Sequence, residues 1–262
     1  MINKHCICYS ANTKYILHFG DDIYSASINF PWVDFVIYWI DVNHESKVIN
    51  RFENLRNVKI YKIPDTNENL SKNSFHINYD KNTLRMLIEE SYRGSFFYKI
   101  IYFIIYKLKI VNKILINKTF FYKKNTLSYY ALVRYLNLPF LLKKYSDILI
   151  LDIDSRIIGN LSDIFNAEDS VYIWKRSGAW SKSLAGFFFV KNSHVYRDVL
   201  FSISDLINEH VNAHKIYWGL DQVILDFIDQ VYSCKSASSG WVGLGDSNNV
   251  VVRMPKGDSK WL

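Results

Sequence analysis

Short apolar runs alternate with longer stretches of helical periodicity along most of the chain. Residues 5–10, His-Cys-Ile-Cys-Tyr-Ser, read as a first strand. A turn at 11–14 and a helix over 15–28 follow. Residues 36–41 read as a second strand that ends on the carboxylate of Asp41, and 57–63 as a third, carrying Val58, Ile60 and Ile63. A polar loop from Pro64 leads to a helix over 82–92. Residues 128–144 form a helix that Pro139 breaks, because proline cannot donate the backbone bond and crowds the preceding turn. The run Ile148 to Leu151 is short, continuous and bounded by acids, the pattern of a strand buried on both faces. Beyond it come a turn at Gly159, a short helix over 161–165, strands over 171–174 and 183–190, and a helix over 196–210. Asp221-Gln222 opens a further helix, 236–249 is a Gly- and Ser-rich loop, and 250–252 is a last strand. Strands separated by ten or more helical residues predict βαβ units: an α/β fold with a mainly parallel central sheet flanked by helices, in one domain spanning 1–262.

Composition narrows the function without choosing it. Hydrophobic residues at 49% and aromatics at 16% exclude a disordered chain. The net charge of +7 suits anionic partners: nucleotide phosphates, anionic headgroups or nucleic acid. Cys6-x-Cys8 lacks the second ligand pair of a zinc site, so Cys6, Cys8 and Cys234 read as small core residues in a reducing compartment. The first residues carry no signal-peptide pattern and no run reaches 18 apolar residues, so the expected location is cytoplasmic, without a spanning helix. In the basic–aromatic segment at about 94–125, Lys99, Lys107, Lys109, Lys113 and Lys118 share half of a helical wheel, opposite Ile101, Ile105, Leu108 and Leu115. That pattern fits either a helix lying in a membrane interface or a core helix with a solvated lysine face.

The candidate chemistry centres on Asp152-Ile-Asp154, at the C-terminal end of the buried run. On an extended chain residues two apart face the same side, so both carboxylates can line one small volume. Such an oxygen pair suits Mg²⁺ or Mn²⁺, with water or substrate phosphate completing the shell. The end of a strand in an open α/β sheet is also where ligands bind. The plain alternative is two solvated acids. Arg134 stands alone in an apolar helix and either binds a ligand or pairs with an acid. The histidines read as surface residues, and Trp174, Trp180, Trp218 and Trp241 as packing residues able to stack on sugars. No phosphate-binding glycine loop is present.

Taken in order, Ala131-x-x-Arg134, Leu149-Ile-Leu-Asp152-Ile-Asp154, Gly159-x-Leu161, Ala185-Gly186 and Asp221-Gln222 resemble the GT-A-fold glycosyltransferases, most closely glycosyltransferase family 8, which includes the bacterial lipopolysaccharide galactosyl- and glucosyltransferases. The resemblance implies a GT-A fold and transfer of a hexose from a nucleotide diphosphate sugar, UDP-hexose above all. The acceptor would be a glycan or lipid-linked oligosaccharide in lipopolysaccharide, O-antigen or capsule synthesis, reached through peripheral membrane contact. It implies Mn²⁺ or Mg²⁺ on Asp152 and Asp154, with Asp152 also binding the nucleotide sugar near the ribose. Ser10, Ala11, Asn12 and Tyr15 would hold the base, Arg134 the phosphate or sugar region, Lys260 the diphosphate, and Ala185 and Gly186 the sugar pocket. Asp221 would accept sugar hydroxyls, and Gln222 would sit beside the anomeric carbon. The chain departs from the family pattern at Leu184, where Asn is usual, and at Met254, where the family has a third metal ligand, His. Asp258 could stand in for that ligand and Lys256 is a spare cation. Transfer with retention is the family's course. An inverting transferase with Asp221 as general base is one alternative. A basic, Mg²⁺-dependent protein acting on nucleic acid is another, although it lacks a third clustered carboxylate and a recognisable binding motif, so no nucleic-acid partner is expected.

Overall fold

The computed structural model describes residues 4–41, 45–63, 120–175, 182–213, 216 and 219–255, without the side chains of residues 46 and 120–127. The expectations for 64–119, most of the basic–aromatic segment among them, and for Lys256, Asp258, Lys260, Trp180 and Trp218 lie outside these residues. The chain divides into two compact units. One comprises Met1–Asp65, Tyr130–Glu209 and Asp221–Leu262, and the other Thr66–Tyr129 and His210–Leu220. Both sheets belong to the first unit.

Four strands run parallel at the heart of the larger sheet: β3 (Val58–Lys62), β2 (Val33–Ile40), β1 (His5–Asn12) and β4 (Asp147–Leu151), in that spatial order. Every residue of β2 and β4 is buried, which is why residues 35–40 and 148–151 read as unbroken apolar runs, while Asp34 and Asp147 are buried acids near the strand starts. The sheet continues through β7 (Ser183–Lys191), antiparallel to β4, then β6 (Ser170–Lys175), antiparallel to β7, and β8 (Lys235–Ser236), parallel to β6. A three-stranded sheet joins β5 (Arg156–Ile157), β10 (Val252–Met254) and β9 (Val242–Leu244). The mainly parallel α/β expectation holds. The antiparallel insertion of β7 is a matter of strand order that periodicity does not encode. Two short strands, β8 and β9, also fall at or within the expected 236–249 loop. The last strand lies two residues later than expected, because Val251 and Val252 donate to the carbonyls of Gly240 and Trp241.

The helices are α1 (Thr13–Asn29), α2 (Glu45–Phe52), α3 (Phe120–Leu136), α4 (Leu138–Leu142), α5 (Ser162–Phe165), α6 (Arg197–Asn212) and α7 (Leu220–Tyr232). The expected turn at 11–14 is absent. β1 runs on to Asn12, which is extended (φ −84, ψ 171), and its Oδ1 accepts the Tyr15 N–H at 3.0 Å, so α1 starts at once. Pro139 breaks the helix as expected, with the break one turn earlier in effect: α3 ends at Leu136 and Pro139 occupies the first turn of α4, where a missing N–H costs nothing. Cys6, Cys8 and Cys234 are buried free thiols, as expected of core residues. Trp241 packs against Tyr172 and Phe189. Among the described residues no helix is long and apolar enough to cross a membrane.

One buried acid ties the other end of β4 to its neighbours. Asp147 lies 2.6 Å from His5 Nδ1, accepts from Lys191 Nζ at 2.9 Å and from the Asn192 N–H at 3.0 Å. His5 is thus a packed residue, set against Phe165 and Trp32, and not the surface histidine its sequence suggests. Burial alone would raise the Asp147 carboxyl, but these donors outweigh it and hold the group below its ordinary value of 3.8. A depressed acid stabilises the fold above its unfolded pKa and loses that contribution as pH falls through the folded one. Asp147→Asn is therefore expected to cost about 2 kcal/mol or more at pH 7 and to flatten the acid limb of the urea midpoint against pH. An unchanged midpoint at pH 7 would refute the assignment.

Candidate functional site

Arg134 is the centre of the site. It sits in α3 with 2% exposure, its guanidinium surrounded by acceptors from three other segments. Nη1 donates to the Leu151 carbonyl at 2.9 Å and to Asp152 Oδ1 at 2.5 Å; Nη2 donates to the Ala185 carbonyl at 3.1 Å and lies 3.8 Å from Asp221 Oδ2. Burial opposes the charge, yet Asp152, Tyr135 and Asp221 more than offset it, and the guanidinium is held charged. Its neighbour Tyr135 donates from its hydroxyl to the same Ala185 carbonyl at 2.6 Å. Ser10 of β1 donates to the Tyr130 carbonyl, one turn before Arg134, at 2.5 Å, fixing α3 over the sheet. Arg134 thus pairs with acids, one of the two readings its sequence allowed, and those acids are themselves site candidates.

Asp152 follows β4 directly. Its N–H donates to the Gly186 carbonyl at 3.1 Å, and its own carbonyl accepts the Ser155 N–H at 3.0 Å, closing a turn over 152–155. The extended-chain argument for Asp152 and Asp154 therefore does not hold, because the backbone turns where the two acids stand. Asp154 is 6% exposed, whereas the Asp152 side chain keeps 38% exposure. A Cβ built on Gly186 would come within 2.6 Å of Asp152 Oδ2, 2.6 Å of Met254 Cε and 2.9 Å of Met254 Sδ. Glycine is what lets the β7 backbone, the Asp152 carboxylate and the thioether meet.

The donor set fits a hard divalent cation in one limited way. Asp152 and Asp154 offer carboxylate oxygens of the kind Mg²⁺ and Mn²⁺ take, with the remaining positions left to water or a substrate diphosphate. Among the described residues no group of three His, Cys, Asp or Glu side chains could hold a metal ion. Met254, beside Gly186, contributes a soft thioether that does not suit such a cation.

Asp221 and Gln222 lie in the first turn of α7. Asp221 Oδ1 accepts the Gln222 N–H at 2.9 Å. Desolvation dominates Asp221: burial raises its carboxyl, Arg134 pulls the other way, Asp152 adds to the rise, and the group is pushed up to about 6. Gln222 Oε1 is buried with no hydrogen-bond partner among the described residues.

The structure thus gathers Arg134, Asp152, Ala185, Gly186 and Asp221 into one cluster, with Gln222 bonded to Asp221 and Ser10 linked through Tyr130. Ala11, Asn12 and Tyr15 serve the β1–α1 junction: Ala11 is buried, Asn12 caps α1, and Tyr15 packs near Phe19 with ring centroids 6.0 Å apart. Tyr135 escaped the sequence reading, although its place beside Arg134 was a usable signal. Met254 was marked only as a departure from a family pattern, and nothing local pointed to its contact with Gly186. Gly186→Ala is expected to lower the melting temperature by several degrees, through crowding of about 1–3 kcal/mol. Adding Met254→Ala should recover part of that loss. No recovery in the double variant would place the strain elsewhere.

No protein-family model and no curated protein matches this chain in sequence. Solved structures do match it in fold. The galactosyltransferase LgtC, in complex with donor and acceptor sugar analogues, superposes with a TM-score of 0.51 at 14% identity, over 97% of this chain and 87% of that one. LgtC is also known as an active-site Gln-to-Glu mutant, with the same TM-score. The bifunctional glycosyltransferase WbbM gives 0.53 at 11% identity, and GlyE of Streptococcus pneumoniae TIGR4 gives 0.52 at 13%. This chain spans about half the length of the latter two, 46% of each. A seven-stranded, mostly parallel sheet with helices around it, shared over nearly the whole chain with these enzymes, gives the protein the GT-A glycosyltransferase fold, in a form that resembles family 8.

Proposed function

We propose that this chain is a metal-dependent glycosyltransferase that moves a hexose from UDP-hexose to a glycan acceptor with retention of configuration. The observation that carries the reading is the Arg134–Asp152–Asp221 cluster, joined to Ala185 and Gly186 beside the C-terminal end of β4 in a GT-A fold. In this reading Ser10, Ala11, Asn12 and Tyr15 hold the base, at the end of the strand adjacent to β4. Arg134 fixes Asp152 and Asp221 on either side of the donor, and Gly186 lets the sugar approach the backbone. Lys260 serves the diphosphate. Asp152 and Asp154 would hold Mn²⁺ or Mg²⁺, which when bound neutralises charge on the departing diphosphate.

No strong nucleophile stands in the cluster, and an amide such as Gln222 is a poor one. The proposed course is therefore a front-face displacement. The bond from the anomeric carbon to the diphosphate oxygen breaks and its electron pair leaves with the diphosphate. The acceptor hydroxyl oxygen bonds the same face of that carbon, and its proton passes to the departing phosphate oxygen. Asp221 accepts a sugar hydroxyl, and Gln222 steadies the anomeric region. The acceptor belongs to lipopolysaccharide, O-antigen or capsule synthesis, approached at the membrane surface through the basic–aromatic segment. One observation favours a second reading: a carboxyl pushed up to about 6 suits a general base near neutral pH, so Asp221 could drive an inverting transfer. The anomer of the product, read by NMR, separates the two.

Asp152→Asn and Asp154→Asn are each expected to lower donor turnover on the order of 100-fold or more while the protein stays folded, with Asp152→Asn melting at the lower temperature of the two because Arg134 loses a charged partner. Full turnover in either variant would overturn the reading. Because Asp221 ionises only above about 6, kcat/KM should rise with pH through that value and level off. Asp221→Asn should abolish that limb, and a limb that survives the substitution would assign it to another group. A thermal shift with UDP and Mn²⁺, set against DNA and RNA, distinguishes the transferase from a nucleic-acid-acting protein.

A further inference from the structure

Two side-chain acceptors on α7 have no donor among the described residues. Gln222 Oε1 and Asp226 Oδ1 are both buried and have no hydrogen-bond partner among the described residues. Four residues apart on a helix, they share one face. The first turns of α7 are held beside β7 at two points. At one, Asp221 Oδ2 lies 3.8 Å from Arg134 Nη2, which donates to the Ala185 carbonyl at 3.1 Å. At the other, Asp226 Oδ2 accepts the Lys182 N–H at 3.1 Å. Five residues of helix span about 7.5 Å, and three of strand span about 10 Å. The start of α7 therefore lies along the start of β7, and Gln222 falls between the two anchors.

An orphaned buried acceptor is costly, so a pair kept on one face calls for a donor. The two unpartnered oxygens can only accept, and one belongs to a carboxylate, which favours hydroxyl groups over phosphate at this spot; the Gln222 amide nitrogen is a donor beside them. Both side chains keep partial exposure, and their terminal torsions are soft, so either oxygen can turn outward. We propose that Asp226 is a specificity-determining residue which, together with Gln222, accepts hydrogen bonds from hydroxyls of the transferred sugar. This rests on the transferase reading and extends its sugar subsite to a residue one helical turn beyond Gln222.

The test is calorimetric titration of the parent chain and Asp226→Asn with UDP, UDP-glucose and UDP-galactose in Mn²⁺. The asparagine keeps an oxygen for the Lys182 N–H, so the fold should hold, and an unchanged melting temperature checks this. The expected result is a loss of about tenfold or more in affinity for the better UDP-sugar, with UDP affinity within about twofold. Monodeoxy UDP-sugars provide the second arm. One of them should lose a similar factor against the parent and little further against Asp226→Asn. A ratio of sugar to UDP affinity that Asp226→Asn leaves unchanged overturns the proposal and leaves the transferase reading standing. Failure of the parent chain to bind either UDP-sugar overturns both.

Discussion

A single buried cation holds this site together. A guanidinium removed from water is costly unless its donors are matched. Arg134 meets that condition at both terminal nitrogens, with hydrogen bonds to two backbone carbonyls and to Asp152 and an ion pair with Asp221, drawn from the end of β4, from β7 and from the first turn of α7, while its Nε has no hydrogen-bond partner among the described residues. The same contacts set the distances among the acids. Asp152 and Asp221 would repel one another across the site; Arg134 between them turns a repulsive pair into a three-member network. Removing one partner of such a network leaves a charge without compensation in a dry environment. For that reason the geometry of the site and the stability of this part of the fold are the same physical quantity.

The network also decides which charges remain for chemistry. Asp152 spends one oxygen on Arg134 and directs the other toward Gly186 and Met254. Asp221 is so thoroughly desolvated that Arg134 does not bring its carboxyl back to the ordinary range, and it ionises near the working pH of a cell. A cation, a tethered carboxylate and a second carboxylate with a raised pKa form an arrangement suited to an anionic leaving group and a hydroxylated ring. The thioether of Met254 lies beside Gly186 and is too soft a donor for a hard divalent cation, and among the described residues no third carboxylate, imidazole or thiol completes a metal-holding group.

Much of this was legible in the chain. β2 and β4 are buried on both faces, and the apolar runs over residues 35–40 and 148–151 are the direct consequence. Arg134 stood out because a lone arginine in an apolar helix needs partners, and Asp152 because it ends a buried strand. Other features depend on contacts far apart in sequence. The antiparallel insertion of β7 between β4 and β6 is a choice of neighbour, not of period. The pairing of Asp152 with Asp154 was inferred from extended geometry, but the Ser155 N–H turns the backbone at that point. His5 looked like a surface residue because nothing near it in sequence announces Asp147, over 140 positions later. β9 has three residues in a Gly- and Ser-rich stretch and owes its existence to β10. Met254 is unremarkable in isolation, and only a strand carrying Gly186 opposite it gives it a place in the site.

The most direct measurement is release of free nucleoside diphosphate from a panel of nucleotide sugars by the purified chain, with Mn²⁺ and with the metal chelated. The account predicts turnover of at least one UDP-hexose, dependent on the metal and lost in Arg134→Ala. Turnover of none of the panel, under conditions where the chain is folded and melts at a higher temperature with DNA or RNA, would contradict it.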